Sequence, residues 1–279
     1  MTTFAAPDGT TLVFDAYEPP ASPKAAVLVV HGWSEHAGRY GWLGPRLRDA
    51  GLATYVADLR GHGRSGGRRV HLSRFSQLLG DLQAFRRVVR ARSDVPQVLL
   101  GHGFGGLVVL RYLETQPAVP PAAAVISGPL LGHAHPGALW TRVAERLLGD
   151  LWPGLTLPTD VDIEHLSRDA ASNARYRADP AVQRRMTLGA RREIQWAQRA
   201  VAADAARVES PVLFLLAGED RIVDAAAARA LAGSLRTTAV VRWYGEMYHE
   251  VLNDPQRERV VADVIAFLAD RAPDTAPQS

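Results

Sequence analysis

The chain has 279 residues, 47% of them hydrophobic, with a formal net charge of +3 and no cysteine. That is enough apolar material for one large domain or for a core with an inserted subdomain, and the lack of thiols excludes a disulfide framework, a cysteine nucleophile and cysteine-ligated zinc. The basic residues are interspersed with acids, which argues against nucleic acid as a partner, and no run approaches the roughly 18 apolar residues of a membrane span.

Phe4 and the run Thr11 to Tyr17 read as two extended segments reversed at Pro7-Asp8-Gly9, an antiparallel hairpin at a sheet edge. Ala25-Ala26-Val27-Leu28-Val29-Val30 is apolar on both faces, as a strand buried in a parallel sheet requires. A polar, glycine-bearing loop from His31 to Tyr40 and a short helix from Trp42 to Ala50 lead to a second buried strand, Ala53 to Asp58. After the glycine-rich stretch Asp58 to Ser65, the residues Phe75, Leu78, Leu79, Leu82, Phe85, Val88 and Val89 recur at the spacing of a long amphipathic helix.

Val98-Leu99-Leu100-Gly101-His102-Gly103-Phe104-Gly105-Gly106 reads as a strand stopping at a tight turn, and Leu107 to Leu113 continues it as a helix. Ala122 to Ser127 is the next strand. From about Gly128 to Ala190 no strand pattern is found, and an insertion of that length is a lid rather than a loop. Strands resume at Pro211 to Leu216 and Ala239 to Tyr244, with a last helix over 257–270. The expected fold class is α/β, a mostly parallel sheet flanked by helices and carrying an inserted helical lid. Its expected division is a first part of the core over 1–127, lid and return helix over 128–206, the second part of the core over 207–270 and a flexible tail over 271–279. Met1-Thr2-Thr3-Phe4-Ala5-Ala6-Pro7 lacks the basic and apolar regions of a leader peptide, so a cytoplasmic location is expected.

The turn is the chemically informative stretch. A glycine-dense turn after a strand can cradle a phosphate or simply let a helix pack close. In serine hydrolases of the α/β type the same turn reads Gly-x-Ser-x-Gly, and the acid and the histidine follow later in that order. Here Gly103 stands in the middle of Gly101-His102-Gly103-Phe104-Gly105. Asp220 follows one late strand directly and His249 follows the last, both at the carboxyl edge of the sheet where they can converge on position 103. Asp224 is the alternative acid, although its place before Ala225 also suits a helix N-cap. His133-Ala134-His135 has no third ligand at suitable spacing, so neither a metal nor another cofactor is expected.

These residues resemble the monoacylglycerol lipase and lysophospholipase group of the α/β-hydrolase superfamily. The likeness rests on His31-Gly32, Glu35-His36 and Arg39-Tyr40, on Asp58-Leu59-Arg60-Gly61-His62-Gly63-Arg64-Ser65, on Tyr176 with Asp179-Pro180, and on Asp220 and His249-Glu250, and it spans about residues 1 to 270. It implies an α/β-hydrolase fold, a small-molecule or lipid ester as substrate, and backbone N–H groups of Trp33 and Phe104 as the oxyanion hole. It also implies His31 and His102 as buttresses of their loops. The departure is Gly103 in the nucleophile's position, which predicts an inactive or nearly inactive form of a serine esterase. The alternatives are a natural non-catalytic binder of esters and a reaction that uses His249 as base without a serine. In the lid, Leu139, Trp140, Val143, Leu147 and Leu151 fall at near-helical spacing, either packed on the core or lining an acyl-chain tunnel. A lid of this kind also brings a transient contact with a membrane surface.

Overall fold

The computed structural model describes residues 1–134, 149, 151–159, 161–269 and 271. Eight strands form one sheet: β1 (Thr2–Ala5), β2 (Thr11–Tyr17), β3 (Ala25–Val30), β4 (Leu52–Ala57), β5 (Gln97–His102), β6 (Ala123–Ser127) and two later strands, Val212–Ala217 and Ala239–Tyr244. The spatial order is β1, β2, β4, β3, β5, β6, then Val212–Ala217 and Ala239–Tyr244. The hairpin β1–β2 is antiparallel at one edge and β2 meets β4 antiparallel, while every later pairing is parallel.

Strands β3 to β6 and Val212–Ala217 are buried along their whole length. This explains why their middles read as apolar runs: helices cover both faces of the sheet, so a polar side chain enters only with a partner, as Gln97 does with Arg86. In β3, Ala26, Leu28 and Val30 face one core and Ala25, Val27 and Val29 the other. On the first face lie α2 (Phe75–Arg92) and α3 (Phe104–Glu114), and on the second lies α1 (Leu43–Asp49). Helix α2 presents Phe75, Leu78, Leu82, Phe85 and Val89 to the first core, each worth roughly 1.5–3 kcal/mol over an exposed position.

Between β6 and Val212–Ala217, the described residues hold β7 (Thr156–Pro158), α4 (Ala170–Ala178), β8 (Arg185–Thr187) and α5 (Leu188–Asp204). The antiparallel pair β7–β8 corrects the expectation that this stretch contains no strand. Three residues per strand carry too little alternation to be seen in sequence. The chain then forms β9 (Val212–Ala217), α6 (Ala225–Ser234), β10 (Ala239–Tyr244) and α7 (Arg257–Ala269). Helices α5 and α6 join the first core and α7 the second. Leu139, Trp140, Val143 and Leu147, and the tail beyond residue 271, lie outside the described residues.

Candidate active site

Strands β5, β6, β9 and β10 are parallel neighbours, so the loops leaving their carboxyl ends emerge side by side. Gly103 follows β5, Asp220 follows β9 and His249 follows β10, and the sheet thereby brings to one edge three positions that the sequence spreads over nearly 150 residues.

Gly103 has φ +54° and ψ −116°, a conformation L side chains rarely adopt. Its N–H donates to the Ser127 carbonyl at 2.9 Å, and its own carbonyl accepts from Leu130 at 2.9 Å and Gly106 at 3.1 Å, which pins the turn to β6 and α3. Gly105 is needed for a different reason: a Cβ there would be driven into the Val30 carbonyl, so only glycine lets α3 approach β3.

His249 is 6% exposed, and its Nδ1–H donates to Oδ2 of Asp220 at 2.8 Å. The other Asp220 oxygen accepts the backbone N–H groups of Ile222 at 2.8 Å and Val223 at 2.9 Å. Burial works against both charged forms, yet attraction to the imidazole and these hydrogen bonds outweigh it and lower the Asp220 pKa. Burial likewise opposes the imidazolium of His249, and the Asp220 carboxylate overcomes it, raising that pKa above the ordinary histidine value. With Nδ1 committed to Asp220, Nε2 is left as the acceptor, 3.6 Å from where a Cβ on residue 103 would lie. Asp224 sits apart from this pair and caps α6, accepting from Ala227 N–H at 2.9 Å.

The first loop forms the facing wall. His31 accepts the Leu59 N–H at Nε2 (2.9 Å) and so must carry its proton on Nδ1, which donates to the Gly32 carbonyl at 2.7 Å. Burial holds its pKa below normal and the ring neutral. His102 is also pushed down, by burial and by the neighbouring His249, whose ring centre lies 4.8 Å away with the two planes tilted by 45°. Trp33 meets Phe104 edge-on at 5.2 Å and donates its indole N–H to the Arg185 carbonyl at 2.9 Å, tying the loop to β8. Phe104 opens α3, so its N–H is one of the four a helix cannot satisfy internally, at the end where the helix dipole favours negative charge.

Gly32, Trp33, Gly103, Phe104 and His249 line one cleft of about 640 Å³, counted out to its mouth. Its apolar wall comes from Leu130, Val161, Leu166, Met186, Ile222 and Val223. Leu151, expected with its helical face either to pack on the core or to line an acyl tunnel, is 69% exposed and is not among the described residues that line the cleft.

Sequence reasoning missed the role of Arg39. Its guanidinium bridges Glu35 (2.7 Å) and Glu250 (2.7 and 2.8 Å) and lies 4.7 Å over the Tyr176 ring, while Glu35 also accepts from Gly32 N–H at 2.5 Å and from Tyr40 hydroxyl at 3.0 Å. Glu35, Glu250 and Tyr176, from three segments of the chain, thus surround one buried cation. The only signal was that Glu35, Arg39, Tyr176 and Glu250 all fall in the short motifs that carried the resemblance.

The sequence profile of the family described as serine aminopeptidase, S33 matches residues 21–256. The chain is similar to a monoacylglycerol lipase of Mycolicibacterium smegmatis, with 35% identity over 272 residues covering 95% of each chain. It is also similar to mouse (Mus musculus) monoglyceride lipase, with 30% identity over 87% of this chain and 80% of that one. Among solved structures, the monoacylglycerol lipase of Paleococcus ferrophilus superposes with a TM-score of 0.83 at 29% identity, covering 93% of this chain and 99% of the other.

Proposed function

We propose, because the chain belongs to the serine aminopeptidase S33 family of α/β-hydrolases, that its cleft binds carboxylic esters of the monoacylglycerol type. The relatives named as monoacylglycerol lipases support that choice of ester, and the apolar wall of Leu130, Val161, Leu166 and Met186 suits an acyl chain. Asp220 holds the tautomer of His249, His249 is the base, and the N–H groups of Trp33 and Phe104 receive the carbonyl oxygen as it becomes negative. The described residues of the insertion that line the cleft, Leu130, Val161, Leu166, Tyr176 and Met186, act as its lid. Leu151 and Trp152, 69% and 59% exposed on that segment, suit a transient contact with a lipid surface.

The observation that carries the reading is the geometry at position 103. A Cβ would lie 3.6 Å from Nε2 of His249 and 3.8 Å from Cα of Gly32, so a hydroxymethyl group fits with its oxygen within reach of the base. Gly103 therefore occupies the place of a nucleophilic serine, and the chain as it stands holds an ester without forming an acyl-enzyme. The Gly103→Ser variant tests this: it should hydrolyse p-nitrophenyl esters and label with a fluorophosphonate probe. A folded serine variant that does neither would overturn the assignment.

A further inference from the structure

An ester held in this cleft meets a base whose Nε2 has no hydrogen-bond partner among the described residues. Nε2 of His249 faces the space above Gly103, and among the described residues, apart from the flanking ones, Nε2 and Cα of Gly32 are what comes within 4 Å of the Cβ position there. The turn does not compete for a guest's hydroxyl, because the Gly103 N–H is bonded to Ser127 and its carbonyl to Leu130 and Gly106. The space thus takes a bonded hydroxymethyl group, and a free water or methanol, kept at van der Waals distance from Gly103 Cα, meets Nε2 from the cleft just beyond that position.

We propose, resting on the ester-binding reading above, that the Gly103 turn is an acceptor subsite for a small hydroxylic nucleophile, water or a one-carbon alcohol. The chain transfers the acyl group of a bound ester to it in one displacement, without an acyl-enzyme. The acceptor oxygen bonds to the carbonyl carbon as its proton passes to Nε2 of His249, and the carbonyl π electrons move onto oxygen between the N–H groups of Trp33 and Phe104. When the carbonyl re-forms, the bond to the departing alkoxide breaks and Nε2 returns the proton to it. Water yields a carboxylic acid and the alcohol, methanol yields a methyl ester and the alcohol, and no other reactant enters. Sites that lose one member of a triad retain on the order of 10³–10⁴-fold acceleration through binding and oxyanion stabilisation alone, and the His249-dependent transfer is the rate above that floor.

The test uses the unaltered chain with p-nitrophenyl butyrate and rising concentrations of methanol, ethanol or 2-propanol, the butyrate esters and butyric acid being separated by gas chromatography. Methyl butyrate should form at a rate that saturates in methanol, ethyl butyrate should form more slowly from ethanol, and isopropyl butyrate should stay at background with 2-propanol. No initial burst should occur, and a fluorophosphonate should have no effect. His249→Ala should reduce the reaction to that floor, and Gly103→Ala, whose Cβ enters this space, should abolish methanolysis. If Gly103→Ala fails to fold, the alcohol series on the unaltered chain decides alone. Binding is read separately, from the rise in melting temperature with a non-hydrolysable ether analogue. An analogue that binds while methanolysis is absent, independent of His249 or indifferent to alcohol size overturns the acceptor subsite only. No binding together with an inert Gly103→Ser variant overturns the ester-binding reading and the subsite with it.

Discussion

Arg39 grips Glu250, the neighbour of His249, through two parallel hydrogen bonds of 2.7 and 2.8 Å, and the same guanidinium reaches Glu35 on the first loop at 2.7 Å. The loop that carries His249 and the loop that carries Trp33 therefore share one cation. All three side chains are nine-tenths buried or more.

Removing that cation leaves two carboxylates buried side by side. Arg39→Met should cost about 3–5 kcal/mol in denaturant unfolding, the penalty of an uncompensated buried charge. Arg39→Lys should fall between, since an ammonium cannot reproduce the two-pronged contact with Glu250. Equal stability of Arg39→Met and the parent would show that the cluster contributes nothing.

The same cluster sets an acid limit. Burial pushes the Glu250 pKa up, but Arg39 overcomes it and lowers it to about 2. A carboxylate whose folded pKa is depressed contributes stability above its unfolded pKa of about 4.5 and loses it as pH falls toward 2. Melting temperature followed from pH 5 downward should fall, and Glu250→Gln should flatten that slope while lowering the plateau.

In the Gly103→Ser background, Asp220→Asn should lower kcat by roughly 10⁴ by releasing the histidine tautomer. It should also shift the acidic arm of the pH profile downward, because the carboxylate that raises the His249 pKa is gone and the imidazole stays neutral to lower pH. Asp224→Ala should leave kcat close to its parent and cost about 1 kcal/mol of stability through the lost cap on α6. Kinetics and melting curves on both variants separate the two acids, and the reverse ranking would identify Asp224 as the acid.

Trp33→Phe keeps an aromatic edge against Phe104 but removes the bond from indole N–H to the Arg185 carbonyl. Hydrogen exchange at residues 185–187 should quicken, with a stability loss of about 0.5–1.5 kcal/mol. Unchanged exchange there would mean that the first loop does not anchor β8.

Much of this was legible because the fold's demands fall on single residues. A strand with helices on both faces has no position for an unpartnered polar side chain, so Ala25–Val30 and Val212–Ala217 stand out as apolar runs. Asp220 and His249 could be paired because each comes directly after a buried strand or the last strand, and parallel strands send their following loops to one edge. The pair Thr156–Pro158 and Arg185–Thr187 was illegible: it is held by backbone bonds between short segments about thirty residues apart, without alternation to mark it. The grouping of Arg39, Glu35, Glu250 and Tyr176 is a three-dimensional fact, since residues 35 and 250 meet only once the sheet is assembled.

Of the glycines in the turn, Gly101 and Gly105 are fixed by backbone crowding, whereas Gly103 alone opens onto space. At φ +54° any side chain there stores strain, of the order of 1–2 kcal/mol, and glycine stores none. Position 103 is accordingly where two selections on a variant library would part company. Sorting for thermal tolerance would return glycine, sorting for ester turnover would return serine, and the neighbouring turn positions would give the same answer to both.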